Sequence, residues 1–361
     1  MVKKKVIVLG GGIVGLSTAY YLIQEGHEVT IIDKGKLDSG ASHVNAGYLT
    51  PSHIVPMAAP GTISKGIKWM FNAKSPFYIK PRFDLDLIRW GLKFMKSCTN
   101  EHVQRSMKSI LDINLLSKKL YLEMLKSELF DFHLETKGLL MAYKTSQAEK
   151  EESEVSKWAK DLGIKVEQFS KEQVLKIQPD TDMDIAGAFW YKSDAHTTPE
   201  LFINNLKDYL IKKGVRFKLE NTVKYFQKNN KQIQKVITDK GIFEADEFVL
   251  STGAWSQKIL KDLGIRLLIQ PGKGYRINVY KSTGITLPAI LLESKVAVTP
   301  MDGFTRFGGT MEISGINDRT NIKRVHAIAD SVTKYYPTLE IPKTSIIDVQ
   351  SGLRPLSPDG L

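Results

Sequence analysis

The sequence predicts an α/β protein of two architectures: a parallel βαβ unit at the N-terminus and a second, strand-rich unit with a sheet of its own. Three observations predict it. An apolar run, Val6 to Leu9, passes through a glycine-rich turn into a helical pattern and then a second apolar run, Val29 to Ile32. From Leu85 to Phe130 apolar residues recur at three- and four-residue intervals, the spacing of amphipathic helices. From Gly264 to Gly315 strand-like segments with short turns take over, which calls for a sheet of their own.

Each element has a local cause. Val6 to Leu9 is wholly apolar, as suits a parallel strand buried on both faces. Gly10 to Gly15 turns the chain, Leu16 to Gln24 continues at helical spacing, and Gly26 supplies a C-cap. Residues 39–60 are rich in Gly, Ser, Ala and Pro and read as a long loop, a length that usually serves function. Gly138 to Tyr143 reads as a strand, and Gln147 to Leu162 as an exposed helix whose charge run is a solvated face. Pro199 to Lys213 reads as a helix, followed by Gly214 and the strand Val215 to Leu219; the strand Phe248 to Leu250 runs into Ser251-Thr252-Gly253-Ala254-Trp255. There is no internal repeat and no low-complexity segment.

Composition narrows the class. A chain of 361 residues exceeds one ordinary core and fits two domains, or one threaded through another. With 42% hydrophobic and 25% charged residues it is neither wholesale disordered nor membrane-embedded. The net charge of +12 comes from 51 basic and 39 acidic residues, but the lysines are scattered, so a Lys-rich surface is expected and no nucleic-acid partner. Cys98 is the single cysteine, which excludes an intrachain disulfide and a multi-cysteine metal site; it reads as a buried core thiol. The start, MVKKKVIVLGGGIVG, has the basic beginning and apolar run of a secretory signal, but three glycines break the run and no small-residue cleavage site follows. A cytoplasmic strand and turn is expected, and no window approaches the roughly 18 apolar residues that span a bilayer.

The chemistry begins in GGGIVG. Gly10, Gly12 and Gly15 follow a strand and open a helix, where they allow a tight reversal, close approach of backbone to a diphosphate, and close packing of helix on sheet. The helix start offers unpaired N–H groups and a positive dipole end to phosphates. Asp33 ends the second strand, where a carboxylate accepts hydrogen bonds from an adenosine ribose and repels a 2′-phosphate. A Rossmann-like unit for an adenine dinucleotide is therefore expected, and FAD and NAD both remain open at that point. The loop GASHVNAGYLTP favours FAD, because Ser42, Asn45 and Gly47 offer small polar groups and free backbone where a nicotinamide enzyme would run into another regular βα unit. Ser251 to Ala254 ends a strand on small residues, which suits either passage beside a dinucleotide or a capped strand-to-helix turn.

Beyond the turn, NAGYLTP (Asn45 to Pro51), AAPGTISKGIKWMF (Ala58 to Phe71), PGKGY (Pro271 to Tyr275), ESKVAVTP (Glu293 to Pro300), RFGGTMEI (Arg306 to Ile313) and GLRPLSPDG (Gly352 to Gly360) occur in order. Together they resemble the D-amino-acid oxidase superfamily, which includes glycine oxidase, sarcosine oxidase and, as the closest form, bacterial D-amino-acid dehydrogenase. The resemblance implies non-covalent FAD on a discontinuous domain, residues 1–85, 191–264 and 341–361. It implies a discontinuous α+β substrate domain, residues 86–190 and 265–340, whose antiparallel sheet roofs the flavin ring. It implies cofactor contacts from Gly10, Gly12, Ile13, Val14, Gly15, Asp33, Lys34, Ser42, Asn45, Ala46, Gly47, Val223, Thr252, Gly253 and Trp255. It implies that Arg354 grips a substrate carboxylate, a task suited to two parallel guanidinium donors that stay charged.

The reaction so implied is oxidative deamination of a D-amino acid to a 2-oxo acid and ammonia, by hydride transfer from Cα–H to flavin N5 and hydrolysis of the imine. A cofactor that carries the hard chemistry leaves the protein to position and polarise. No nucleophile constellation stands out, and the seven histidines show no HExxH pair, so no metal site is expected. His196 in DAHTTP resembles a recurring family position and reads as structural. Electrons are expected to pass to a membrane quinone, with the protein on the inner face of the membrane; Lys65 to Phe77, with Lys68, Trp69, Met70 and Phe71, either docks there or packs inside. The alternatives are an oxygen-using oxidase of glycine, sarcosine or proline derivatives and a non-catalytic FAD-binding protein. Glycine oxidase relatives carry a tyrosine near Lys295 to Val298 that this sequence lacks, and similar proteins continue past SPDG with a Gly-rich segment and a helix. The sequence ending at Leu361 is thus expected to be a fragment or to bind FAD less well; oligomeric state is left open.

Overall fold

The computed structural model describes residues 2–64, 66, 75–127, 131–230 and 232–361. The N-terminal βαβ unit forms as its apolar pattern requires. Strand Lys5–Leu9 lies parallel between Glu28–Ile32 and Glu247–Leu250, and Arg216–Lys218 joins the outer side of Glu28–Ile32. Helix Ile13–Gln24 buries Gly15, Leu16, Ala19 and Tyr20. They pack with Val6, Val8, Val29 and Ile31 of the sheet and with Phe202, Leu206 and Leu210 of helix Pro199–Lys212. Full burial of Leu16 and Leu206 contributes about 1.5–3 kcal/mol each. The opposite face of the sheet, Ile7, Leu9 and Ile32, meets Val236 of a three-stranded antiparallel sheet, residues 223–244. Covering on both faces explains why the parallel strands are apolar at consecutive positions.

The second architecture is a nine-stranded, mainly antiparallel sheet. Its order runs Gln350–Leu356, Gln270–Val279, Phe304–Ile313, Val296–Met301, Ala289–Leu291, Leu139–Tyr143, Gly187–Tyr191, Val166–Ser170, with Phe77–Ile79 beside Phe304–Ile313. Helix Ile322–Tyr335 puts Val325, Ile328 and Val332 into its core, with Ile277, Val298 and Phe307. A fourth, small sheet pairs Ala195–Thr197 with Tyr48–Leu49 on one side and Leu134–Glu135 on the other.

The amphipathic stretch after Leu85 resolves into helices Leu85–Ser97 and Asn100–Lys126, each opened by a side-chain cap, Asp84 and Thr99. Cys98 sits at the break, half-buried and not fully enclosed, its thiol donating to the Phe94 carbonyl. The long loop holds a four-residue helix, Ala41–Val44, that its composition hid. Residues 341–361, expected with the dinucleotide unit, contain Gln350–Leu356, which extends the antiparallel sheet and also faces that unit. Among the described residues no helix is long and apolar enough to cross a membrane. Lys65, Lys68, Trp69, Met70 and Phe71 lie outside the described residues.

Candidate active site

At the glycine turn, backbone geometry dictates residue type. Gly10 has φ +98°, and a Cβ there would stand 2.5 Å from the Ser251 carbonyl oxygen. A Cβ on Gly15 would stand 1.9 Å from the Gly10 carbonyl oxygen, so helix and strand approach as no other residue permits. Gly12 caps the helix without a side-chain hydrogen bond, and the Ile13 N–H donates to Ser42 Oγ at 3.0 Å. Val14, in the first turn, is 64% exposed, so the helix start is an open surface. Asp33 accepts from the Gly11 N–H and the Gly35 N–H, both at 2.7 Å, which fixes its carboxylate beside the turn.

The neighbouring expected residues gather around this point. Lys34 Nζ lies 3.3 Å over the Trp255 ring, joining the ends of two parallel strands. Ser251 Oγ donates toward the Leu9 and Gly10 carbonyls, and Thr252 Oγ1 meets Ser256 Oγ at 3.0 Å ahead of the short turn Gly253–Trp255. Val223 begins the strand that follows Glu220 and Asn221, whose N–H groups donate to Gly35 and Asp33.

The loop carrying Asn45, Ala46 and Gly47 is held from the far sheet. Asn45 accepts from the Gly47 N–H at 2.8 Å, and Gly47 has φ +71° with Thr197 O only 2.1 Å from where a Cβ would be. Thr299 Oγ1 donates to Ala46 O at 2.7 Å. Arg306, fully buried, donates to the carbonyls of His43 and Asn45, both at 2.8 Å, and pairs with Glu200. Burial lowers its pKa and Glu200 opposes that, so the guanidinium is a fixed charged clamp.

Arg354 lies on strand Gln350–Leu356 opposite Gly272. Two residues earlier on the same face, Gly352 abuts the loop helix so closely that a Cβ would be 2.4 Å from Val44 Cγ2. Arg354 therefore points toward the loop side, and among the described residues it makes no hydrogen bond or ion pair. Its side chain keeps accessible surface, while surrounding protein lowers its pKa by desolvation. His53 has the same character: exposed, yet lowered to about 4, first by desolvation and then by Arg354 and Lys295. Accessible groups hemmed in by protein are the walls of a crevice. Behind His53, Ser52 Oγ lies 3.2 Å from its Nδ1 and donates to Asp194 Oδ2 at 2.5 Å. Asp194 is fully buried, and desolvation raises its pKa to about 7 against the opposing Ser52 hydrogen bonds.

His196 is fully buried, where desolvation lowers its pKa to about 4, and it lies in the small sheet beside Tyr48. No tyrosine projects from Lys295 to Val298, but Tyr48 Oη reaches that strand, accepting from the Val298 N–H and donating to Ala289 O.

Comparison with known proteins decides the family. Residues 5–361 match the model of the DAO family, FAD dependent oxidoreductase. The chain belongs to the DAO family of FAD-dependent oxidoreductases. Among curated family relatives, the D-amino acid dehydrogenase of Neisseria meningitidis serogroup C is 33% identical over 98% of this chain and 86% of its own length. That of Rhizobium rhizogenes is 30% identical over 99% and 86%. Among solved structures, glycine oxidase from Bacillus cereus superposes with a TM-score of 0.72 at 20% identity, covering 99% of this chain and 84% of that one. L-alpha-glycerophosphate oxidase from Mycoplasma pneumoniae, solved with FAD bound, gives 0.69 at 18% identity over 99% and 84%. These neighbours share the fold, as the α/β reading of the sequence expected.

FAD is the DAO family's cofactor, and the residues present fit it: a helix start whose N-cap, Gly12, brings no side chain, an exposed Val14 over it, and a glycine turn with no room for side chains. His53, Ser52, Asp194, Arg306 and Glu200 were not expected in the site. The histidine in PSHIVP, inside a loop poor in other titratable groups, was the one available signal; the rest depend on long-range pairing.

Proposed function

We propose that this chain oxidises D-amino acids to 2-oxo acids and ammonia, and that a quinone-type acceptor receives the electrons. The observation that carries the reading is Arg354: a guanidinium in a crevice, unpaired among the described residues, on the strand face turned to the loop Ala41–Gly47. Such a cation recognises a carboxylate bidentately. Bound FAD supplies the hydride acceptor for the Cα–H bond.

The remaining work falls to the chain. The N–H groups at the start of helix Ile13–Gln24 would hold the diphosphate with Ser42, and Asp33 the ribose, while Lys34, Val223 and Trp255 would flank the adenine. Arg354 would fix the substrate carboxylate, and with it the direction of Cα–H. His53, held neutral above about pH 4, is too weak a base to deprotonate an ammonium, so the amine would enter neutral and His53 would border it as an uncharged wall. Ser52 and Asp194 would orient His53. The substrate's handedness rests on the D-amino acid dehydrogenase names of relatives 30–33% identical over nearly the whole chain.

The acceptor reading gains support from helix Leu85–Ser97. Leu85, Ile88, Leu92 and Met95 lie along one face at 47–55% exposure, next to Phe83 at 90%. Arg89, Lys93 and Lys96 on the same helix would meet anionic headgroups. An anaerobic panel of D- and L-amino acids, glycine, sarcosine and hydroxyproline, read by bleaching of the flavin band, tests the substrate. Bleaching by D-amino acids alone, followed by reoxidation with a soluble quinone faster than with oxygen, is expected. Bleaching by glycine or sarcosine with rapid oxygen uptake would replace the reading with the oxidase one, and no bleaching at all with a non-catalytic one.

A further inference from the structure

A second constellation lies in the small sheet, away from Arg354. Its strands pair Leu134–Glu135 with Ala195–Thr197 in register Glu135↔His196, and His133 precedes Glu135 by two residues. Alternation along a strand puts His133 and Glu135 on one face, and pairing brings His196 to them. His133 Nε2 lies 3.5 Å from Glu135 Oε1, and His196 Nε2 lies 3.7 Å from Glu135 Oε2. One ligand atom from each of the three residues falls within 4.8 Å of the other two.

Two features set this apart from an ordinary surface ion pair. His196 is fully buried, and among the described residues neither ring nitrogen reaches a partner at hydrogen-bond geometry, although the Pro300 carbonyl stands near the ring. Its Nε2 points at the Glu135 carboxylate. His133 Nδ1 is engaged by Thr198 Oγ1 at 2.9 Å, and that hydroxyl also accepts from the Asp302 N–H at 2.9 Å, which leaves Nε2 as the free ligand atom. A hydrogen bond at Nδ1 that orients the ring is the arrangement metal-bound histidines use.

We propose that His133, Glu135 and His196 bind one divalent ion of the zinc class, with water completing a tetrahedral site. Two imidazoles and a carboxylate suit that ion, whose bonds of about 2.0–2.2 Å make ligand-to-ligand edges near 3.3 Å; the imidazoles stand 3.5 and 3.7 Å from one carboxylate oxygen each, and the three ligand atoms, within 4.8 Å of one another, close on the ion by side-chain rotation. Lys137 Nζ, 2.7 Å from Glu135 Oε2, is the competitor; at 48% exposure its ammonium swings to solvent when the ion enters. The ion's role is structural. One ligand, His196, lies on the strand that pairs with Tyr48 and whose Thr197 N–H donates to the Gly47 carbonyl, so the ion fastens the end of the loop Ala41–Gly47.

The test is calorimetric titration of zinc chloride into the flavin-loaded protein, with a thermal melt at each zinc level. One ion per chain, a melting point that climbs with zinc, and affinity lowered about 100-fold or more in His133→Gln and Glu135→Gln are expected. Lys137→Met removes the competitor and tightens zinc several-fold, an effect that an unfolding variant cannot imitate. Cobalt(II) in place of zinc gives tetrahedral absorption bands beyond the flavin envelope. Zinc uptake unchanged by all three substitutions, or no saturable uptake by the parent protein, overturns the proposal.

Discussion

The glycine turn and the Arg354 crevice are built on opposite plans. At the turn, backbone does most of the work: Gly10 to Gly15 reverse the chain, Asp33 is fixed by two N–H groups, and the fold supplies a helix start. At the crevice, Arg354, His53, Ser52 and Asp194 come from three distant segments and meet through side chains. A site made of backbone tolerates loss of side chains but not their gain; a site made of side chains fails when one is removed.

The largest expected effect follows from the first half of that contrast. Gly15→Val places a branched side chain where even a Cβ lies 1.9 Å from a carbonyl oxygen. Relaxation of helix against strand costs about 1–3 kcal/mol or more and misaligns the helix start. The protein should purify colourless and stay so with added FAD, by absorbance at the flavin band, while circular dichroism retains its helical signal. A yellow Gly15→Val protein would mean that the turn is not the diphosphate cradle.

Next comes removal at the crevice. Arg354→Ala should lower kcat/KM about 100- to 1,000-fold, since truncating one partner of a desolvated charge pair costs about 2–5 kcal/mol. Flavin content should be unchanged, and Arg354→Lys should recover only part of the loss because one ammonium replaces a fork. Equal activity in the three proteins would remove Arg354 from the substrate site.

The same contrast explains what the sequence revealed. GGGIVG and Asp33 are legible because backbone demands are local: only glycine fits at Gly10 and Gly15, and the pattern stays within one βαβ unit. Strand Lys5–Leu9, apolar at consecutive positions, and helix Pro199–Lys212, with its buried residues at helical spacing, were equally legible. Helix Ala41–Val44 was hidden because four residues between Gly40 and Asn45 carry no periodicity. The Arg306–Glu200 clamp and the Ser52–Asp194 contact were invisible because residues 106 and 142 positions apart meet only when sheets pack. Residues 341–361 could be assigned to one unit from sequence, yet the strand within them hydrogen-bonds to one architecture and faces the other.

A smaller effect separates support from contact within the crevice. Burial raises Asp194 to about 7 from 3.8, so the folded chain prefers its protonated form. The stability this contributes is complete below about pH 3.8, declines as the unfolded carboxyl ionises, and is gone above about pH 7. Between pH 5 and 8 the melting temperature of the parent protein should therefore fall relative to Asp194→Asn, which cannot ionise. His53 runs the other way: lowered to about 4, it contributes stability above its ordinary 6.5 that is lost as pH falls toward 4. Parallel melting curves for the parent and Asp194→Asn would show that Asp194 ionises freely and does not couple to Ser52.

The smallest effect is expected back at the turn, where a side chain is removed from a site that backbone dominates. Asp33→Asn keeps an acceptor for either the Gly11 or the Gly35 N–H, now 2.7 Å from the two carboxylate oxygens, and loses the charge that strengthens both. One weakened charged hydrogen bond is worth about 1.5 kcal/mol, or roughly tenfold in affinity for FAD. Because the diphosphate still faces the same N–H groups, turnover at saturating FAD should match the parent protein. Titration of flavin fluorescence against protein gives the affinity, and turnover at saturation gives the second number. A loss as deep as that of Arg354→Ala would place the adenosine end under side-chain control and erase the distinction between the two regions.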